Sequence, residues 1–540
     1  MSDTAHLINS RVTGLPLKIG IALAEDPNYP FVEPVLQSIN ACSMANLVFH
    51  EIVDRHASSA ATLFEQDNFV NICLKWIDNQ LRAKEIKRLK RSCDSLLEHL
   101  SEDAGAALDK ESGFCRFAPE TDLDLIICLG RNLPRQLLHP SNPPVWCFVT
   151  STTNDAHIDT ANIVGSVSAA SLITLVEYRN DTEPPQKIAS TALKMFEGLS
   201  GYKKSSAQGQ AAKDLLIWAL WRAQASGIAE RQSPDTETNN SIQPVRESSL
   251  TTLTTAVKGR LRRLNKHSNR SAERPWQIGL RPKAAALPWT HPWPNFTWID
   301  APSGHYYADP FLHETKEGQW LFAEDYIESK QKGVITCAPV SDMGDVGEFK
   351  TVIEQPYHLS FPLVFNHENN IYMVPESAAG NSVDLFVAEQ WPDTWRKVQT
   401  LWEGAGLDTV PYQDDDGTWF FFTSVVPGGS LQTQLLLFTA DTLFDSWRLH
   451  PANPISLDIR YSRNAGRILN LNRPGENSMR VRISQDGAGA YGGKASFHEI
   501  IRLNKYEYQE KLIGHRHPPE GFYGSHHYDR STLFEVADIK

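Results

Sequence analysis

Apolar positions in the first part of the chain form short runs separated by longer amphipathic stretches. A helix-like stretch follows Pro30, and a second, long amphipathic helix is predicted over about residues 66–100. Strands that alternate with helices favour a parallel sheet covered on both faces, so we predict a doubly wound α/β domain. The predicted buried strands are LKIGIALAE (17–25), NLVFHEIVD (46–54), DLDLIICLG (122–130) and WCFVT (146–150).

The pattern turns helical after about residue 183, and AKDLLIWALWRAQ (212–224) places apolar residues at helical spacing. Residues 229–256 are rich in Ser, Thr, Asn and Glu, which bury too little apolar surface to offset chain entropy. We therefore predict a linker there. The predicted domains are an α/β domain over 1–200, a helical and polar linker over 201–275, and an all-β domain over 276–540.

The all-β part shows short apolar runs, many aromatic residues and an internal repeat. Three segments align: ADPFLHETKEGQWLFAED (308–325), FPLVFNHENNIYMVPES (361–377) and DTVPYQDDDGTWFFFTS (408–424). Their prolines, Pro310, Pro362 and Pro411, are spaced by 52 and 49 residues, the length of a four-stranded propeller blade.

The repeat predicts a five-bladed β-propeller. A fourth blade is expected over roughly 456–503, and a fifth would pair strands around 528–537 with a strand near 276–280. Equivalent blade positions carry different polar residues: 14 positions beyond the first two prolines are Glu324 and Glu376, and 13 beyond the third is Ser424.

Composition narrows the function classes. The formal charge of -12 over 540 residues argues against a nucleic-acid partner, and neither secretion nor a membrane span is expected. The seven unclustered cysteines are typical of buried thiols in a reducing cytoplasm, which is the expected location. The basic segment 258–274 is either a solvated tether or a peripheral contact with phosphates or an anionic membrane.

Three acids are the candidate catalytic residues. Asp309 lies among aromatic residues in YYADPF and is a candidate general base, whereas Glu376 follows an apolar run that would raise its pKa, as a general acid requires. Asp408 begins the third repeat. Two carboxyl groups with separated pKa values are what glycosyl transfer needs. Alternatively, each acid caps a turn or pairs with an arginine.

Candidate substrate-binding residues come from the same region. Arg463 presents a planar fork to a carboxylate, phosphate or sugar hydroxyl, and glycines around Asp486 and Tyr491 allow a ligand close to the backbone. A turn with a salt bridge is the alternative. Adjacent histidines in a strand face opposite ways, so His526 and His527 would not both reach one site, and no metal or cofactor is expected. The complete binding set is Tyr306, Tyr307, Arg463, Asp486, Tyr491 and His526.

The motifs YYADPF, YMVPES, DTVPY, SRNAGRI and SQDGAGAYGG resemble those of a known group. Residues 285–540 resemble five-bladed propellers of the glycoside hydrolase family 43 type and, more closely, the N-terminal domain of glucosamine inositolphosphorylceramide transferase. The resemblance implies that Asp309 is the base or nucleophile, that Asp408 modulates the pKa of its partner, and that Glu376 is the acid.

The first 200 residues resemble a degenerate formyltransferase-like α/β domain, through KIGIALAE, the helix after Pro30 and LDLIICLGRNLP (122–134). The Asn, His and Asp of competent formyltransferases are absent in the expected order, and LLHPSNPP (137–144) does not replace them. Formyl transfer is therefore not expected. Such a domain would instead bind a nucleotide sugar or position a partner.

The leading hypothesis is an enzyme that cleaves or transfers a glycosyl unit during synthesis of a surface glycan or glycoconjugate. Its partners would be a sugar or glycoconjugate, with a nucleotide sugar as one candidate. The alternatives are a non-catalytic sugar-binding propeller in a biosynthetic complex and a sugar N-formyltransferase.

Overall fold

The computed structural model contains two compact units, which divide between residues 271 and 272. We describe each by itself. Among the described residues, none of the helices combines the length and apolar character needed to cross a membrane. The residues that the structure describes are 17–24, 35, 39, 45–53, 123–130, 133, 135–138, 142–150, 170–180, 183–194, 201–226, 275–285, 287–290, 293–426, 433–471, 478–487 and 491–540.

A six-stranded mixed sheet forms the described part of the N-terminal unit, in the order β2-β1-β3-β4-β5-β6. Strands β1 to β4 pair in parallel, whereas β4, β5 and β6 pair in antiparallel fashion. The bounds are β1 (Leu17–Ala24), β2 (Ala45–Val53), β3 (Leu125–Gly130), β4 (Val145–Thr150), β5 (Ala170–Tyr178) and β6 (Gln186–Lys194), followed by the helix α1 (Gly201–Ser226).

Helix α1 confirms the helix predicted around 212–224. The prediction that the chain is helical from residue 183 is wrong for 186–194, because these residues pair with β5 through a short turn that only an antiparallel hairpin allows. The stretch after Pro30 is described only at Val35 and Ile39, both helical and buried. The predicted helix over 66–100, the linker 229–256 and the segment 258–274 lie outside the described residues, so the doubly wound arrangement and the domain limits stay predictions.

Five small antiparallel sheets form the C-terminal unit and confirm the five-bladed β-propeller. Blade one contains β9 (His305–Thr315), β10 (Gly318–Ile327), β11 (Lys332–Val340) and β12 (Lys350–Ile353). Blade two contains β13 (Ser360–His367), β14 (Asn370–Glu376), β15 (Val383–Gln390) and β16 (Thr394–Trp402). Blade three contains β17 (Leu407–Gln413), β18 (Trp419–Val425), β19 (Gln434–Ala440) and β20 (Arg448–Leu449).

The last two blades depart from this regular pattern. Blade four has an extra short strand, because β21 (Arg463–Asn464) and β22 (Leu469–Leu471) both pair with β23. Its remaining strands are β23 (Met479–Gln485), β24 (Ala495–Leu503) and β25 (Tyr508–Arg516). Blade five combines β26 (Tyr528–Arg530) and β27 (Phe534–Ile539) with β7 (Gln277–Pro282) and β8 (Thr297–Ile299). The pairing of β27 with β7 is the predicted closure of the ring.

Apolar side chains fill the spaces between blades, so the core is distributed around the ring. One cluster joins Phe311 and Phe322 of blade one to Phe361 of blade two and Phe420 of blade three. Burial of these aromatic groups fixes the angle between neighbouring blades. The starts of the innermost strands are thereby held close together, and the polar residues described next lie there.

Candidate active site

In each of the first four blades, the strand next to the innermost one has a polar residue near its C-terminal end, facing a residue near the start of the innermost strand. The sequence repeat predicted this equivalence for the first three residues, and the strand pairing confirms it. The facing pairs are Ala308 with Glu324, Ser360 with Glu376, Leu407 with Ser424, and Arg463 with Gln485.

Asp309 is a buried carboxylic acid in the first half of β9, the innermost strand of blade one. Its φ of 49° lies in the left-handed region, as do the φ values of Phe361 (48°) and Asp408 (46°) near the starts of the next two innermost strands. This conformation is strained for residues other than glycine and tends to occur at functional sites. Among the described residues, no group donates a hydrogen bond to the Asp309 carboxylate. Burial raises its pKa to about 7, although His526 opposes the shift.

Glu376 and Asp408 share one arginine. Arg463 Nε donates to Oδ2 of Asp408 at 2.6 Å, and its NH2 group lies 3.4 Å from Oε2 of Glu376. The backbone N–H of Asp408 also donates to that Glu376 oxygen, at 3.2 Å. Burial and then the negative charge of Asp408 raise the pKa of Glu376 well above its usual range. Gln485 and Asn464 complete the network by donating to the Oδ2 and backbone oxygens of Asp408, respectively.

Glu324 is a fourth buried carboxylic acid, which sequence reasoning noted as a repeat position but did not select. Burial, followed by the charges of Asp309 and Glu376, raises its pKa well above its usual range. His358 Nε2 lies 3.5 Å from its Oε1. The matched position of Glu324 and Glu376 in the repeat was the sequence signal for this residue.

His526 and His527 both approach Asp309, which corrects the expectation that only one of them reaches a given site. Their nearest ring nitrogens lie 3.7 and 3.6 Å from Oδ1 of Asp309. The two residues precede β26 rather than lying within a strand, so the alternation of a strand does not apply to them. Asp538 of β27 accepts both of their backbone N–H groups, at 2.8 and 2.9 Å, and contacts the His526 ring.

The pKa values of the two histidines shift in opposite directions. Burial alone would lower the pKa of His526, but the carboxylates of Asp538 and Asp309 outweigh it and raise that pKa. Burial lowers the pKa of His527 to about 3, so this ring is neutral. Asp309, His526 and Asp538 could together accept a cation, since their ligand atoms lie within 4.8 Å of one another. The His526 Nδ1 and Asp538 oxygen of that set already contact each other.

The predicted aromatic residues have different environments. Tyr306 stacks on Tyr326, with ring centroids 4.7 Å apart. Tyr307 is only 5 % exposed and packs against Phe349 in the core between blades one and five, which corrects its assignment as a substrate ligand. Neighbouring residues in a strand point to opposite faces, so Tyr306 and Tyr307 cannot both line the site.

Tyr491 and His526 lie beside Trp276 at the edge of the site. Tyr491 is 49 % exposed and lies 5.1 Å from the guanidinium of Arg463, while His526 stacks on Trp276 at 3.8 Å. Asp486 instead supports the turn between β23 and β24: its backbone pairs with Lys494, whose ammonium lies 3.6 Å from its carboxylate. Asp486 therefore lies in a turn with a salt bridge, which was the alternative interpretation of this motif.

Residues 282–518 match the family model described as Glucosamine inositolphosphorylceramide transferase 1, N-terminal. The propeller resembles this family. The recognition made from the sequence motifs is thereby confirmed for the C-terminal half. The matched segment ends before β26, so His526 and Asp538 lie beyond it. The formyltransferase-like resemblance of residues 1–200 stays a prediction.

Curated relatives carry the same name. The Oryza sativa subsp. japonica protein Glucosamine inositolphosphorylceramide transferase 1 is 30% identical over 250 residues, which are 44% of this chain and 32% of that protein. The Arabidopsis thaliana protein of that name is 29% identical over 237 residues, 43% of this chain and 30% of that protein. The chain thus spans about a third of the length of the curated relatives it matches.

Among solved structures, one described as "Structure of RS223-Beta-xylosidase" is similar at a TM-score of 0.32 and 11% identity, covering 44% of this chain and 93% of that one. A GH43_1 enzyme from Xanthomonas citri gives a TM-score of 0.31 and 11% identity, with 44% and 88% covered. Likeness at this level carries no argument about function. The five blades are established by the strand pairing instead.

Proposed function

We propose that the propeller is a carbohydrate-active enzyme that cleaves or transfers a glycosyl unit, with Glu376 as general acid and Asp309 as general base or nucleophile. One observation carries the proposal: Asp309, Glu376 and Asp408, from three different blades, form one buried cluster of acids, in which burial raises the pKa of Asp309 and of Glu376. The family match and the transferase names of the relatives support a sugar-related reaction.

Glu376 suits the acid role because burial and the charge of Asp408 raise its pKa, which favours the protonated form that a general acid needs. Its Oε2 already faces the backbone N–H of Asp408 and the guanidinium of Arg463, which leaves Oε1 to carry the proton. The leaving-group oxygen of a glycoside would receive that proton.

Asp309 suits the base or nucleophile role because it has no hydrogen-bond donor among the described residues, and its pKa of about 7 makes it reactive near neutral pH. Asp408 has a supporting role. Its contact with Arg463 keeps a charge beside Glu376, and that charge raises the pKa of the acid.

We place the reaction in the synthesis of a surface glycan or glycoconjugate in the cytoplasm. Within that setting, the N-terminal unit would bind a nucleotide sugar or position a partner, and the segment 258–274 would contact phosphates or an anionic membrane. A second candidate is a non-catalytic sugar-binding propeller, which the exposed Tyr491 beside Arg463 favours. No observation on the described residues favours sugar N-formylation.

The test is turnover of a panel of aryl glycosides and nucleotide sugars by the wild type, Asp309→Asn and Glu376→Gln. Asp415→Asn, in the turn between β17 and β18, is the matched control. A general-acid variant should retain much more activity on a dinitrophenyl glycoside than on a methyl glycoside, since a good leaving group needs no proton. The base variant should lose activity on both.

Anomeric proton signals of the first product, followed by NMR, identify a retaining or an inverting route. Equal activity of Asp309→Asn and wild type would overturn the proposed roles. Saturable sugar binding without turnover, unchanged in both variants, would favour the binding propeller.

A further inference from the structure

Glu324 occupies the place in blade one that Glu376 occupies in blade two, but its surroundings are different. Glu376 faces the guanidinium of Arg463 and the backbone N–H of Asp408. Among the described residues, Glu324 has no arginine or lysine partner and accepts no hydrogen bond; the one basic side chain within ion-pair distance is His358, at 3.5 Å. A buried carboxyl group with free oxygens beside Asp309 is available to a ligand.

His358 presents an N–H group to Glu324. Its Nδ1 accepts a hydrogen bond from the backbone N–H of Gly333 at 2.8 Å. Burial and then the charge of Arg463 lower the pKa of His358, so the ring is neutral and its single hydrogen is on Nε2. That nitrogen is the one 3.5 Å from Oε1 of Glu324. The His358 side chain is also 34% exposed, so solvent and ligands reach it.

Gly333 keeps these groups close. A Cβ atom added at Gly333 would lie 2.4 Å from the backbone oxygen of Leu359 and 2.7 Å from Oε1 of Glu324. Only glycine at position 333 allows the backbone of β11 to lie so close to the Leu359 oxygen and to the Glu324 carboxyl group. The position of Glu324 is therefore set by packing as well as by its own rotamer.

Two aromatic rings extend this surface. Tyr306 stacks on Tyr326, which in turn lies 6.1 Å from the ring of His358. Burial raises the pKa of Tyr306, and the charge of Glu324 contributes to the shift, as expected for groups close together. We call Tyr306, Glu324, Tyr326 and His358 the blade-one wall.

We propose that Glu324 and His358 bind a hydroxyl group of the sugar held beside Asp309 and select sugars that carry it. This inference rests on the proposed function. A protonated Glu324 donates one hydrogen bond and accepts another, while His358 Nε2 donates, which matches a hydroxyl group that is both acceptor and donor. Among the described residues, the wall contains no cation, so a neutral sugar fits it better than a uronic acid or a sugar phosphate.

The test couples enzyme variants to substrate analogues. The probes are the 4-nitrophenyl glycoside that the wild type turns over best and its series of monodeoxy analogues. The variants are Glu324→Gln, Glu324→Ala and His358→Phe, with Glu368→Gln in the exposed β13–β14 turn as control.

For one deoxy analogue, the loss in kcat/KM caused by Glu324→Ala should shrink from about 30-fold to less than about 3-fold, because the missing hydroxyl leaves nothing to bind. Glu324→Gln should lose less than about 5-fold, since an amide also donates and accepts. A loss by Glu324→Gln as large as that of Asp309→Asn would instead show a charged catalytic role and overturn the inference.

If Glu324→Ala lowers kcat/KM by the same factor for the parent glycoside and for every deoxy analogue, this inference is overturned while the proposed function stays intact. If the wild type turns over no glycoside, the same coupling is measured as binding of the methyl glycosides by saturation-transfer NMR. Absence of both turnover and binding would overturn the inference together with the proposed function.

Discussion

The propeller buries carboxylic acids in two contrasting surroundings. Glu510 of blade four is held by Arg482 through two contacts of 2.7 and 2.6 Å and also accepts from the hydroxyl of Tyr508. Burial would raise the pKa of Glu510, but Arg482 outweighs it and lowers the pKa to about 2. Glu376 has only a share of Arg463, at 3.4 Å, and its pKa rises.

The contrast separates a structural acid from one that we propose to be catalytic. Both residues are glutamates in β-strands, and their side chains are 10% and 9% exposed for Glu376 and Glu510, so neither residue type nor exposure distinguishes them. The two residues differ in how many hydrogen-bond donors face the carboxylate and in how close those donors are. A fully paired acid stabilises the fold, whereas an incompletely paired acid keeps a proton that it can transfer.

The largest effect should come from breaking the paired acid. Replacing Arg482 by Met leaves Glu510 buried without its partner, and we expect the free energy of unfolding to fall by about 3–5 kcal/mol. Chemical denaturation followed by tryptophan fluorescence measures this. The double variant Arg482→Met with Glu510→Gln should recover part of the loss, and a wild-type stability of the single variant would contradict the comparison.

Substitution of a proposed catalytic acid should lower activity and leave stability unchanged or increased. We expect Asp309→Asn to lower kcat by about 10²–10³-fold, because a general base is lost, while stability stays equal or increases since a buried acid is removed. Steady-state kinetics on the best glycoside, with thermal unfolding in parallel, test both parts. A variant that unfolds at much lower temperature would place Asp309 among the structural acids.

The two kinds of acid should also have opposite pH dependence of stability. The folded pKa of Asp309, about 7, lies above its usual value of 3.8, so its contribution to stability is complete below about pH 4 and is lost as pH rises through 7. The contribution of Glu510 is present above about pH 4.5 and is lost as pH falls towards 2.

Between pH 4 and 7, the unfolding free energy of the wild type should fall, relative to Asp309→Asn, by on the order of 1 kcal/mol per pH unit. Denaturation curves at several pH values, compared between the two proteins, measure this difference. Parallel curves would contradict the raised pKa of Asp309.

The smallest effect is expected at the exposed edge of the site. Tyr491→Ala should raise KM by about 5-fold and leave kcat unchanged, because an exposed ring contributes binding but no proton transfer. A fall in kcat without a change in KM would show that Tyr491 acts through Arg463 rather than through the ligand. Tyr523→Ala, at another exposed tyrosine, is the control.

The sequence was informative where it repeats. The proline spacing predicted the inner strands of blades one to three and the equivalence of Glu324 and Glu376, because each blade repeats the same strand–turn–strand pattern. Asp538 and His358 gave no such signal. Asp538 reaches the site only through ring closure, and His358 lies between two blades, so both depend on long-range pairing that periodicity does not encode.

The alternation of side chains along a strand explains other differences between the predictions and the structure. Strand geometry separates Tyr306 from Tyr307 and should have excluded one of them, whereas His526 and His527 lie outside any strand and escape the rule applied to them. In the N-terminal sheet, the β5–β6 hairpin was missed because its apolar positions fit a helix as well as a strand.

Ring closure has a consequence for biosynthesis. Blade five joins β7, made before the other blades, to β27, which leaves the ribosome after the other four blades are complete. Asp538, the residue that holds His526 and His527, is part of β27. A nascent chain with four finished blades therefore still lacks part of the proposed site, and it completes that site in the same step that pairs its exposed sheet edges.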